Sequence, residues 1–195
     1  MGNSILTVPN ILTIARIIIA PVLFILLLYA PGRLMSFCAA LVFIIASVTD
    51  FLDGYLARRM NQVTSLGKFL DPLADKVLVG VSLIMMIPLD RVPQWIVALI
   101  VGREILVTSL RVVAIREGFI IEASKLAKKK TAFQIVAVVG LLIHYPYSVT
   151  VGGLSFSVDF HAAGLAVLYI ALLITLWTGA VYTVKFLRNV SSMSL

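Results

Sequence analysis

The chain has 195 residues, of which 61% are hydrophobic and 13% charged, and its mean hydropathy is +1.09. A soluble domain carries about 25% charged residues, and the apolar runs here are too long for a buried soluble core. The formal charge of +7 does not mark a nucleic-acid binder, because the basic residues sit between apolar runs instead of forming one patch.

Six apolar runs, at 11–29, 34–48, 77–89, 92–110, 131–145 and 162–184, read as helical spans or most of one, since a span needs roughly 20 mainly apolar residues. The expected fold is all-α: a single domain, 1–195, with six transmembrane helices. Pro9-Asn10 precedes the first run, where proline suits a first turn. That run is longer than a signal-peptide core and contains Arg16, so it reads as a retained span. Pro31-Gly32 makes a short turn. The second span extends from about 34 to 60 and carries Asp50, Asp53 and Arg58 near its end. The link 61–68 holds Thr64, Ser65 and Gly67, common in turns and caps. The third span starts either at Asp71, as an N-cap with Pro72 in the first helical position, or nearer Thr64 with Pro72 bending its first turns. Residues 88–93 separate spans three and four. The stretch 118–130 is the longest basic connection, part helical. Residues 146–160, with Gly152-Gly153, form a loop, and 189–195 is a frayed tail. Cys38 lies alone in an apolar stretch and permits no intrachain disulfide.

The charges follow this division. Arg58, Arg59 and Lys68 lie between spans two and three. Arg116, Lys125, Lys128, Lys129 and Lys130 lie between four and five, and Lys185 and Arg188 follow span six. The other connections hold Arg33, Arg91, or no basic residue at all. The positive-inside rule then places both termini and the basic loops in the cytoplasm, where they also favour anionic lipid headgroups. His144 and His161 fall on the outer side as interfacial or loop residues. Trp95, Trp177, Tyr145, Tyr147 and Tyr182, near span ends, fit an aromatic belt.

Four carboxylates stand out against this background. Asp50 and Asp53 are spaced i,i+3, and Asp71 and Asp75 are spaced i,i+4, so each pair shares one face of a helix. Acids within or beside a membrane helix are costly and mark a functional site by default. Four together require neutralisation, and oxygen-only ligands suit Mg²⁺ or Mn²⁺, as one or two ions. Arg58 can fork two hydrogen bonds onto a phosphate. Gly54 and Gly67 let a ligand approach the backbone; helix packing and turn geometry are their plainer explanations.

The frame D-x-x-D-G-x-x-A-R-x8-G-x-x-x-D-x-x-x-D, filled by Asp50, Asp53, Gly54, Ala57, Arg58, Gly67, Asp71 and Asp75, resembles the signature of the CDP-alcohol phosphotransferases. The resemblance implies that Asp50, Asp53 and Asp71 are metal ligands. It implies that Asp75 is the base for the acceptor hydroxyl and also touches a second metal. The nucleotide would be bound by Asp53, Gly54, Ala57, Arg58 and Gly67, with Asn10 and Thr13 facing it from the first span. Capping is the plainer role of those last two.

Three further blocks are similar to bacterial phosphatidylglycerophosphate synthases: Pro9 to Arg16 with Pro21, Gly102 to Arg111, and Leu126 to Thr131 with Gln134. One position departs, Ala127 standing where that pattern has glycine. This likeness implies transfer of the phosphatidyl group of CDP-diacylglycerol to sn-glycerol 3-phosphate, releasing CMP. It also implies a homodimer among membrane lipids in the bacterial cytoplasmic membrane, multi-pass, with the active site on the cytoplasmic side. The acceptor phosphate needs cations, and Arg103, Arg111, Lys128 and Lys130 are the candidates. Pairing with Glu104 or another acid is the plainer role of the arginines, and a solvated basic loop that of the lysines. Two rivals remain. One is the same chemistry with another alcohol: phosphatidylglycerol, giving cardiolipin, inositol phosphate or serine. The other is a divalent-cation transporter, disfavoured because the outer halves of the spans lack the polar residues of a path.

Overall fold

The computed structural model describes residues 32–59, 65–119, 125–151 and 154–193, with Ile121 and scattered helical positions from Ile18 to Leu28. Side chains at 50–75, at 122–128 except Leu126, at 149–156 and past Ser191 fall outside this description, as do Asn10 and Thr13 altogether. Five helices follow in order: α1 (Arg33–Arg59), α2 (Ser65–Met86), α3 (Gln94–Arg116), α4 (Lys125–Ile143) and α5 (Phe160–Met193). Between α4 and α5 lies a hairpin of β1 (Pro146–Val151) and β2 (Leu154–Asp159).

The molecule is mainly helical, as its composition implies, but several boundaries differ from the sequence expectation. α2 begins at Ser65, which agrees with the alternative start near Thr64 and not with an N-cap at Asp71; Pro72 lies inside the helix, and Gly67 sits in its first turn instead of a link. α4 begins at Lys125, six residues before the expected span, and this agrees with a connection that is part helical. α5 runs for 34 residues to Met193, well past the expected fraying point at 189. Residues 146–151 and 154–159 are paired strands where a loop was expected. Val151 partners Leu154 across Gly152-Gly153, and Pro146 partners Asp159. The cause is legible in the residues. Val, Thr, Tyr and Phe alternate with serine on both sides of a Gly-Gly pair, a two-residue hairpin signal.

The helix ends are closed locally. Past α3, Gly118 adopts φ 80°, while Phe119 N donates to Ala114 O at 3.0 Å and Gly118 N to Ile115 O at 3.2 Å. This is the left-handed cap that glycine allows most cheaply. At the start of α5, Asp159 Oδ1 accepts from His161 N and Ala162 N, both at 3.0 Å, which satisfies two of the orphaned amides of the first turn.

The core forms where α1, α2, α3, α4 and α5 meet around Phe43, Leu83, Met86, Ile96, Ile100, Leu141 and Leu168. α4 and α5 pack most extensively, through a glycine crossing. A Cβ on Gly140 would lie 2.9 Å from Gly164 Cα, and one on Gly164 would lie 2.8 Å from Leu141 N. Small residues allow such close backbone approach in membrane helices, where dispersion and not water exclusion drives association. The exterior is also apolar: Leu34 is 74% exposed, and Leu173 and Trp177 are each 68% exposed. So broad an apolar surface is unfavourable in water and suits a lipid surround. Among the described residues, the α5 segment Phe160–Ser191 is the one helix long and apolar enough to cross a membrane by length and composition. Arg33–Thr49 and Lys76–Met86 are shorter apolar helices.

Candidate active site

The backbone is helical at all four acids. Asp50 and Asp53 lie in the last third of α1, and Asp71 and Asp75 in the first half of α2. The helical spacing therefore puts each pair on one side of its helix. Arg59 and Ser65 are six residues apart, which limits the distance between the two helix ends to about 20 Å. Gly54, Ala57 and Arg58 lie on α1 and Gly67 on α2; the side chains of the acids and of Arg58 lie outside the described set. Among the described residues no three metal-ligating side chains cluster. The chemistry of the acid set itself fits a hard divalent cation, since it offers only oxygen donors.

Immediately after the last acid, Lys76 donates to Thr108 Oγ1 on α3. Thr108 in turn donates to the backbone carbonyl of Glu104 at 2.7 Å. This joins the acid-bearing helix to a buried polar cluster. Glu104 Oε1 accepts from Arg103 Nη1 at 3.2 Å and from Lys130 Nζ on α4. Arg103 Nη2 donates to Thr178 Oγ1 on α5 at 2.8 Å, and the buried Arg103 Nε has no partner among the described residues. Gln134 Nε2 reaches Thr175 Oγ1 at 3.4 Å. Gly179 makes room for the guanidinium stem, since a Cβ there would sit 2.9 Å from Arg103 Cγ.

The sequence candidates separate by environment. Arg103 and Lys130 are drawn into the helix interface, with side chains 10% and 8% exposed. Arg111, two turns along α3, is exposed, as is Lys129. Lys128 lies in the first turn of α4, with its side chain outside the described set. Sequence reasoning missed Lys76, Thr108, Thr175, Thr178 and Gly179, and it did not pair Glu104 with Lys130. A signal was present in α5: Thr175, Thr178 and Gly179 recur at i,i+3,i+4 in an otherwise apolar run.

A second polar cluster lies about 18 Å further along α4. Buried Arg91 donates to Leu142 O at 2.8 Å and to Ser36 Oγ at 2.7 Å, so it ties the end of α4 to the start of α1. Burial lowers its pKa from the ordinary arginine value. His144, just past α4, has its Nδ1 3.1 Å from His161 Nδ1. Burial first, then the charges of Arg91 and His161, lower its pKa, which favours the neutral ring near pH 7. At this end Arg91 is used on a helix carbonyl and the Ser36 hydroxyl, and Arg33 lies over the Tyr145 ring.

Paired acids on consecutive helices, with Lys76 of the second bonded to α3 one turn from the Arg103–Glu104–Lys130 cluster, define the class: a helical enzyme for phosphate-bearing substrates. The chain belongs to the CDP-alcohol phosphatidyltransferase family, whose pattern matches residues 6–181. It is 42% identical to the CDP-diacylglycerol–glycerol-3-phosphate 3-phosphatidyltransferase of Bacillus subtilis (strain 168), over 91% of this chain and 93% of the relative. It is 36% identical to the protein of the same name from Escherichia coli (strain K12), over 88% and 90%. It is 38% identical to a probable phosphatidylglycerophosphate synthase of Mycobacterium tuberculosis (strain ATCC 25618 / H37Rv), over 94% and 83%.

Proposed function

We propose that this enzyme transfers the phosphatidyl group of CDP-diacylglycerol to sn-glycerol 3-phosphate, giving phosphatidylglycerophosphate and CMP. The observation that carries the reading is the Lys76–Thr108 bond, which sets the cations of α3 and α4 beside the helix of Asp71 and Asp75. The relatives' names supply the donor and acceptor. Two phosphate-bearing substrates meeting in one site need both a metal-binding acid set and separate cations, and this chain has both.

Asp50, Asp53 and Asp71, together with Asp75, would hold a divalent cation, which would supply Lewis-acid neutralisation of the diphosphate charge. Arg58 binds a phosphate of the nucleotide, and Gly54, Ala57 and Gly67 leave space for the nucleotide beside the backbone, with Asn10 and Thr13 of the first span as its further candidates. Arg103, Arg111, Lys128 and Lys130 supply the positive field for the acceptor phosphate. Asp75 takes the proton of the acceptor hydroxyl as its oxygen bonds to the lipid-linked phosphorus. The bond from that phosphorus to the bridging oxygen breaks, and CMP leaves with the electron pair. The enzyme is read as six spans with both termini and the acids on the cytoplasmic side of a bacterial membrane, because basic residues concentrate in alternate connections. Its neighbours are lipid and a second copy of the chain, for which the exposed apolar faces are suited.

The acceptor arm is tested with Arg111→Ala and Lys128→Ala. Loss of a charge-assisted hydrogen bond is worth about 1.5–3 kcal/mol, or roughly ten- to a hundred-fold. Each variant is expected to raise KM for glycerol 3-phosphate by about that factor and to leave KM for CDP-diacylglycerol nearly unchanged. Equal weakening of both substrates would remove these residues from the acceptor site.

A further inference from the structure

We propose that Glu104 is a positioning residue that keeps the Lys130 ammonium charged and aimed within the acceptor-phosphate subsite. The inference rests on the proposed function and deepens it.

The argument starts from a charge imbalance. Lys130 is 6% exposed, and its neighbours from the packed helices are mostly cationic. α3 contributes Arg103 and Glu104, with Arg111 two turns away. α2 contributes Lys76, bonded to Thr108 one turn from Glu104. α5 contributes only the uncharged Thr175 and Thr178 and, a turn further, Tyr182. On α4 itself Lys128 and Lys129 precede it. The acids of α1 and α2 are committed to the metal in the proposed function. Glu104 is the carboxylate paired with both Lys130 and Arg103 among the described residues. Burial, then the charges of Arg103 and Lys76, already lower the pKa of this ammonium to about 7, and removing its carboxylate lowers it further, because burial and like charge both penalise the charged form.

Glu104 is also held so that it can do this. Arg103 fixes the carboxylate from one side, and Arg103 is itself fixed by Thr178 and by the space at Gly179. An ammonium has three donors. One bond to Glu104 leaves Lys130 two for an incoming phosphate. The carboxylate thus acts on the acceptor through Lys130 and does not touch it.

The test uses the full-length purified enzyme with CDP-diacylglycerol, glycerol 3-phosphate and Mg²⁺, measured from about pH 6 to about pH 8.5. Glu104→Gln keeps the shape and removes the charge. Relative to the unsubstituted enzyme at each pH, its KM for glycerol 3-phosphate is expected to rise by about tenfold or more at the alkaline end. It is expected to return toward parity at the acid end, where Lys130 regains its proton. KM for CDP-diacylglycerol and kcat at saturating acceptor should change little. Adding Lys130→Arg to Glu104→Gln should restore acceptor KM at alkaline pH, because a guanidinium stays protonated. A defect that is independent of pH, falls equally on both substrates, or resists this rescue would overturn the proposal. If Glu104→Gln does not fold, Glu104→Gln combined with Lys130→Gln should fold, since that unpaired ammonium is then gone; two unfolded variants would assign Glu104 to packing and overturn the proposal. The unsubstituted enzyme in the same series reports separately on the function: lack of turnover with glycerol 3-phosphate would refute that reading, and not the role of Glu104.

Discussion

Asp75 differs from the other three acids in its neighbour along the chain. The next residue, Lys76, is bonded to α3, so the backbone that carries Asp75 is anchored beside the cations assigned to the acceptor. The proposed base for the acceptor hydroxyl suits that border, whereas the roles proposed on α1 are metal binding for Asp50 and metal and nucleotide binding for Asp53. Asp75→Asn keeps the shape and a neutral oxygen but cannot take the proton. It is expected to retain metal-dependent CDP-diacylglycerol binding while kcat falls at least about 100-fold. Asp53→Asn should instead weaken metal and nucleotide binding together. Nucleotide titration beside single-turnover kinetics separates the two outcomes, and near-normal turnover in Asp75→Asn would remove the base assignment. At this scale the chemistry-bearing residues were legible because acids and arginines are rare in apolar runs. The partners of Arg103 were not, because Thr178 and Gly179 look like ordinary membrane-helix residues until α5 is packed against α3.

The helices themselves were legible as apolar runs, and their ends were not. Pro72 left the start of α2 open between Asp71 and a point near Thr64, and α2 begins at Ser65; proline lacks the N–H of an interior hydrogen bond, so its tolerance there depends on surroundings that one sequence does not display. The lysine run was read as a connection because charge suggests solvent, but Lys130 is buried against Glu104, and pairing, which charge counting cannot see, reverses the expectation. The hairpin was passed over because its two strands are short and sit beside a Gly-Gly pair that also suits a loop. Packing between elements concentrates at Gly140 and Gly164. Gly140→Val or Gly164→Val places atoms within contact distance of backbone that cannot move aside, and overpacking of this kind costs about 1–3 kcal/mol. Thermal melts in detergent should show a clear loss of stability for either variant. Gly80→Ala, where an added Cβ meets nothing within 4 Å, should melt like the unsubstituted protein. Equal melting of all three would contradict the close α4–α5 crossing.

For the molecule as a whole, the apolar exterior, the separation of basic residues into alternate connections and the bond between the acid helix and the cation cluster describe one device. In the proposed function lipid surrounds the helices, and the reaction draws on the acids of α1 and α2 and on the cations of α3 and α4, while α5 holds Arg103 through Thr178. The central claim is the identity of the reaction. Purified protein is given CDP-diacylglycerol, Mg²⁺ and, in parallel, glycerol 3-phosphate, glycerol, phosphatidylglycerol, inositol phosphate or serine, and the lipid product and released CMP are identified. Phosphatidylglycerophosphate with matching CMP, formed with glycerol 3-phosphate and abolished by a chelator, is the predicted result. A product formed in preference from any other alcohol, or no CMP release with glycerol 3-phosphate, would contradict it.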